Sequence, residues 1–232
     1  MEKGFFKSLI DSLRIEEVEN NKHLCELIEV LDKKINKEIN LNIYSKNFEI
    51  EELEKQLTSS SEDKTSDLLH RIVINSLKGV KTAYISWKNI LWSSLFLSIY
   101  SNYESKLNQI CLIIMEMDNL ELSPKDLKDS GLTRTRKYLH KVAKYNFSIT
   151  DEKWLLSEKY NKIRNILTHN EGKLEKSNHK YKDNDLHNFI NSHEYLSVDK
   201  LDRIIMTKNF VLETERYFYN IYLTICDELV GL

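Results

Sequence analysis

Apolar residues recur at steps of three and four along most of this chain, which is the signature of helices with one buried face. Phe6, Leu9, Ile10, Leu13, Val18, Leu24, Leu27, Ile28 and Leu31 predict a helix over 5–35, with an imperfect stretch at Glu16–Lys22. Residues 36–57 read two ways: INLNIYSKNFEI alternates like a short strand, whereas EELEKQL suits a helix. The polar run SSSEDKTS at 59–66 reads as a linker. A helix DLLHRIVINSLKGV then ends near Gly79, and a long one follows from Thr82 to Met117. Its stripe of Trp87, Leu91, Leu95, Ile99, Tyr103, Leu107, Ile110 and Ile114 makes it the spine of the core.

Asp118–Gly131 holds the only proline and reads as a connection, and TRTRKYLHKVAKY at 133–145 as a short basic helix. Thr150-Asp151-Glu152 is an N-terminal signal for the next helix, which uses Trp154, Leu155, Tyr160, Ile163 and Leu167. It stops at Thr168–Gly172, where Asn and Gly favour termination. Residues 173–193 are polar and predict a loop or loose hairpin, followed by a brief strand at Glu194–Leu196. Ser197 is expected to cap a last helix with Leu201, Ile204, Ile205, Val211, Leu212, Phe218, Tyr222, Ile225 and Leu229 on one face. The expected fold is all-α: an up-and-down helical bundle over 67–232 with a small β-hairpin before the last helix, preceded by a helical extension over 1–66.

Composition narrows the classes. A 41% hydrophobic share supports a real core, while five Gly and one Pro are too few for the tight turns of sandwiches, barrels and Gly-rich nucleotide folds. Three widely spaced cysteines (Cys25, Cys111, Cys226) argue against a disulfide framework and for a reducing cytosol. The N-terminus gains charges within a few residues, unlike a signal peptide, and the apolar stretch Ile90–Ile99 is too short to cross a bilayer. A cytoplasmic protein without membrane association is expected.

Net charge is −2, but residues 1–60 carry 9 Lys/Arg against 13 Asp/Glu, and residues 124–182 carry 15 against 7. Local charge sets the field at a groove. The basic segment therefore reads either as solvated helix faces or as a phosphate-binding surface.

The string Lys162-Ile163-Arg164-Asn165-Ile166-Leu167-Thr168-His169-Asn170 closes an amphipathic helix ahead of a polar segment. Asn165 and His169, four apart, share a face, and the long Arg164 side chain can curl toward them. Arg, Asn and His can thus converge on one anion. A second string, Arg134-Thr-Arg-Lys-Tyr-Leu-His140, has similar spacing but lies inside a helical pattern and lacks the Asn.

Arg-Asn followed by His at a helix end resembles the signature of HEPN domains. The helix with Tyr100, Tyr103 and Glu104 is similar to that family's earlier core helix, and the resemblance covers residues 82–230. It implies a four-to-five-helix bundle that pairs as a homodimer, and a metal-independent endoribonuclease without cofactor, acting in phage defence or beside an antitoxin partner. Carried over by position, it makes Arg164, Asn165 and His169 catalytic and puts Arg134, Arg136, Lys137, Lys162 and Glu104 in contact with RNA. Glu171 stands where some members have a modifiable Tyr, so tyrosine AMPylation is not implied.

The chemistry stands on its own terms. RNA carries its own nucleophile, the 2′-hydroxyl. His works as acid or base near neutral pH, Arg is a permanent phosphate fork, and Asn holds an oxygen or orients the His. Products would be 2′,3′-cyclic phosphate and 5′-hydroxyl ends. Two other readings stay open: a non-catalytic module of the same fold that binds RNA, a nucleotide or a protein, and a helical oligomerisation subunit. His179, His187 and His193 have no compact metal-ligand spacing, so no metal is expected. There is no Walker loop, Gly-rich dinucleotide fingerprint or nucleophile elbow.

Overall fold

A computed structural model describes residues 3–58, 64–129, 131–174 and 184–231. Helices α1 (Lys3–Thr58) and α2 (Lys64–Met117) come first. A 3₁₀ turn at Pro124–Asp126 leads to α3 (Gly131–Lys137), which runs on into a π-helical turn at Tyr138–Val142. Then come α4 (Asp151–His169), α5 (Asn184–Ser192), an antiparallel pair β1 (Leu196–Val198) and β2 (Ile204–Met206), and α6 (Lys208–Gly231). The chain is an all-α helical bundle with a small hairpin before its last helix.

The helices divide into two compact units, Met1–Cys25 with Trp92–Leu232, and Glu26–Leu91. The sequence places its boundary at 66–67 instead. The first unit is built on rings. Phe96 stacks on Phe210 at 5.7 Å and Tyr103 on Phe218 at 5.7 Å, while Tyr160 meets Tyr217 edge-on at 5.1 Å. Such pairs contribute about 0.5–1.5 kcal/mol each beyond the area they bury. Ile10, Trp92, Leu107, Ile110, Ile163 and Ile225 complete this core.

A polar cluster lies inside it. Tyr103 Oη is 2.5 Å from Glu17 Oε1 and 2.8 Å from Glu215 Oε1. Lys106 pairs with Glu17 Oε2, and Asn21 Nδ2 donates to Glu215 Oε1 at 2.7 Å. A phenol has one proton and cannot donate to both carboxylates. Its hydroxyl therefore lies between two acceptors, Glu17, which also has the Lys106 ammonium, and Glu215, which also has the Asn21 amide. Burial pushes the Glu215 carboxyl above its ordinary range, although its bonds to Tyr103 and Asn21 pull the other way.

In the second unit Ile28 is buried, and Lys88 donates to Asn36 Oδ1 at 2.9 Å, joining its two helical segments. Leu41, Tyr44, Phe48, Ile72 and Trp87 are exposed. Trp87, expected in the core stripe, is 69% exposed. The inward stripe of α2 begins instead at Trp92.

Several boundaries move. Residues 36–57 are helical throughout, because a nucleated helix gains one hydrogen bond per added residue. Helix α2 passes through Gly79, whose cost of about 1 kcal/mol is too small to end it. Residues 184–192 form α5 rather than a loop, burying Leu186 and Ile190 one turn apart. The last helix starts at Lys208, not Ser197, because Ile204–Met206 alternates buried, half-buried, buried and pairs with Leu196–Val198.

Candidate functional site

Helix α4 carries the Arg164–His169 string. It starts at Thr150, whose hydroxyl accepts from the Lys153 N–H, and Asp151 and Glu152 suit the positive end of the helix dipole. Trp154, Tyr160 and Ile163 bury its inner face. At its other end, Asn170 and Gly172 both donate their N–H to Ile166 O, at 3.0 and 3.1 Å. Gly172 takes φ +75, a left-handed conformation that Gly adopts without strain. The chain is then tied to the hairpin: Ile204 N–H donates to Gly172 O at 2.9 Å and Leu174 N–H to Asp202 O at 2.8 Å. The last turn of α4 is therefore held from both sides.

Arg164 is half-buried and donates through Nη1 to Asn165 Oδ1 at 2.9 Å. Asn165 and His169 are exposed. His169 makes no hydrogen bond or ion pair among the described residues. The fold thus joins the first two members of the predicted triad and leaves the third one turn further on, facing solvent.

Behind Arg164 lies Tyr100, whose buried hydroxyl has no hydrogen-bond partner among the described residues. Burial raises the Tyr100 phenol well above its ordinary value; the charge of Glu104 adds to this and that of Arg164 opposes it. Glu104, half-buried, comes close to the start of α3. A Cβ on Gly131 would sit 3.3 Å from Glu104 Oε1 and 3.6 Å from Tyr100 Oη. Gly131 also has φ +58, so this close approach is built on glycine twice over. Glu104 and Arg164 therefore both act on Tyr100. Tyr100 belongs with them, and its only sequence signal was its place one turn before Glu104.

The other basic residues do not gather there. Arg136 pairs with Asp151 and lies 5.7 Å over the Trp154 ring. Lys137 donates to both Asp129 oxygens at 2.7 Å. Both line a cavity of about 700 Å³ at the Thr150 end of α4, and Arg164, Asn165 and His169 do not. Arg134 is half-buried, with its charge felt at the buried Cys111 thiol, and Lys162 is exposed on α4. Burial pushes the Cys111 thiol up to about 12, against the opposing pull of Arg134, and keeps it protonated and unreactive. His193 packs between the Phe189 and Phe210 rings with Nε2 3.1 Å from Glu213 Oε1, while His179 lies outside the described residues. No helix among the described residues is long and apolar enough to cross a membrane. No family model, no curated protein and no solved structure matches the chain.

Proposed function

We propose that this chain is a HEPN-type endoribonuclease that cleaves RNA by attack of the 2′-hydroxyl, leaving 2′,3′-cyclic phosphate and 5′-hydroxyl ends. One observation carries the reading: a half-buried Arg164 held on the Asn165 amide at a pinned helix end, with His169 open to solvent one turn away. Asn165 and His169 face solvent beside Arg164, and together the three offer a permanent positive fork, an amide and a titrating ring to one phosphodiester. Arg164 stabilises the charge that grows on the phosphorane oxygens, Asn165 sets the angle of that guanidinium, and His169 moves the proton. Each chain supplies one such imidazole, whereas the reaction needs a base for the 2′-hydroxyl and an acid for the leaving 5′-oxygen. A homodimer with facing sites supplies both. The biological setting that suits the activity is phage defence or a toxin–antitoxin pair.

Purified full-length chain incubated with RNA in EDTA tests the proposal. Cleavage to cyclic-phosphate ends is expected, lost in His169→Ala. Cleavage that needs a divalent cation, or that His169→Ala retains, overturns it. One observation favours a second reading, a module of the same fold that binds RNA without cutting it: among the described residues no group orients the His169 ring, as catalytic imidazoles usually require. RNA binding by wild type and His169→Ala alike, with no cleavage by either, would select that reading.

A further inference from the structure

The Arg134–His140 string, less favoured by sequence than Arg164–His169, ends at the cavity described above. Helix α3 passes there into a π turn, in which Ala143 N–H reaches back to Tyr138 O at 2.9 Å. The wider turn carries Tyr138 and Leu139 into the core and leaves His140 and Lys141 exposed on the cavity wall. Neither has a hydrogen-bond or ion-pair partner among the described residues. They differ in this from Arg136 and Lys137, whose charges Asp151 and Asp129 already answer.

The lining is also aromatic. Tyr145 and Phe147, two residues apart, stack at 5.6 Å with an 8° angle. Burial and the nearby Asp118 carboxylate raise the Tyr145 phenol above its ordinary range. Asp151 and Glu158 are also in the lining. Their carboxylate oxygens can accept hydrogen bonds from a base amino group or a ribose hydroxyl. The volume suits one or two nucleotides and is too small for a duplex. Trp154 in this cavity and Arg164 at the candidate site lie ten residues apart on one rigid helix, about 15 Å along its axis.

We propose that the cavity holds one nucleotide of a single-stranded RNA, its phosphate against His140 and Lys141 and its base on the Tyr145–Phe147 pair. The strand would reach Arg164 at a fixed offset. This deepens the nuclease reading, and rests on it only for the second contact at Arg164.

The test is fluorescence anisotropy of the full chain with a labelled 12-nucleotide 2′-fluoro RNA, which lacks the internal nucleophile. Phe147→Ala should weaken binding about 5- to 100-fold, the range for loss of one base–aromatic stack. Phe147→Tyr should bind like wild type, which separates loss of stacking from loss of fold. Lys141→Ala should lower the slope of log affinity against log salt by about one. Wild-type affinity in both Phe147→Ala and Lys141→Ala overturns the cavity assignment, and leaves the nuclease proposal standing wherever cleavage still depends on His169. Loss of binding in these variants of a chain that never cuts RNA does the reverse. A free nucleoside monophosphate that binds as tightly as the 12-mer overturns the strand assignment.

Discussion

The first unit holds two polar clusters, and they are used in opposite ways. Glu17, Tyr103 and Glu215 are each at most 2% exposed and are bonded to one another, to Lys106 and to Asn21. Arg164, Asn165 and His169 share one hydrogen bond, and two of the three face solvent. The first cluster directs its bonds inward, with only the buried Glu215 Oε2 left unpaired, and fixes residues of α1 against α2 and α6. The second keeps its capacity for something outside. The number of charged groups does not separate a structural cluster from a working one; the fraction of hydrogen-bonding capacity already used does.

Substitutions can break this contrast. The largest effect is expected for His169→Ala, with cleavage falling about 10²- to 10⁴-fold and thermal midpoint unmoved, as gel assay and calorimetry would record together. An equal loss of stability would place His169 with the structural cluster. Tyr103→Phe should do the opposite, costing about 1–3 kcal/mol because Glu17 loses a buried donor. That is a drop of about 2–12 °C in midpoint for a chain of this size, with cleavage per folded molecule unchanged.

Gly131→Ala strains a left-handed position and crowds Glu104, at about 1–2 kcal/mol. Its cleavage rate should fall severalfold because Glu104 and Tyr100 sit behind Arg164. An unchanged rate at the same stability loss would remove Glu104 from the site.

The smallest effect concerns pH. The folded chain holds the Glu215 proton to higher pH than the unfolded chain does. Its contribution is complete below the ordinary glutamate value of about 4.3 and is lost as pH rises through the raised native value. Glu215→Gln, uncharged throughout, should flatten that decline in midpoint-against-pH scans. A decline identical to wild type would put the proton elsewhere.

The long apolar periodicities were legible without coordinates: the stripe from Ile99 to Ile114 and most of the faces of α4 and α6 lie where spacing places them, while Leu155 and Leu201, expected on those faces, are exposed. Of the expected convergence of Arg164, Asn165 and His169, the fold shows the Arg164–Asn165 hydrogen bond, between adjacent residues at a helix end that need little tertiary information. What was not legible depended on partners distant in sequence. Asp151 pairs with Arg136 and Asp129 with Lys137, fifteen and eight residues away, which the basic pattern alone does not show. Ile204 and Ile205 fit a helical face as well as a strand, and pairing with Leu196–Val198 decided between them. Gly79 looked like a stop because local propensity is weak beside the cooperativity of a 54-residue helix.

The π turn at Tyr138–Val142 has a consequence for descent. It holds one residue more than an α-helical path would need. A single-codon deletion there would be absorbed as an ordinary α-helical turn, with the side chains on either side kept in phase. One deletion can therefore take a residue out of the His140–Lys141 wall while the ring-packed interior keeps its register.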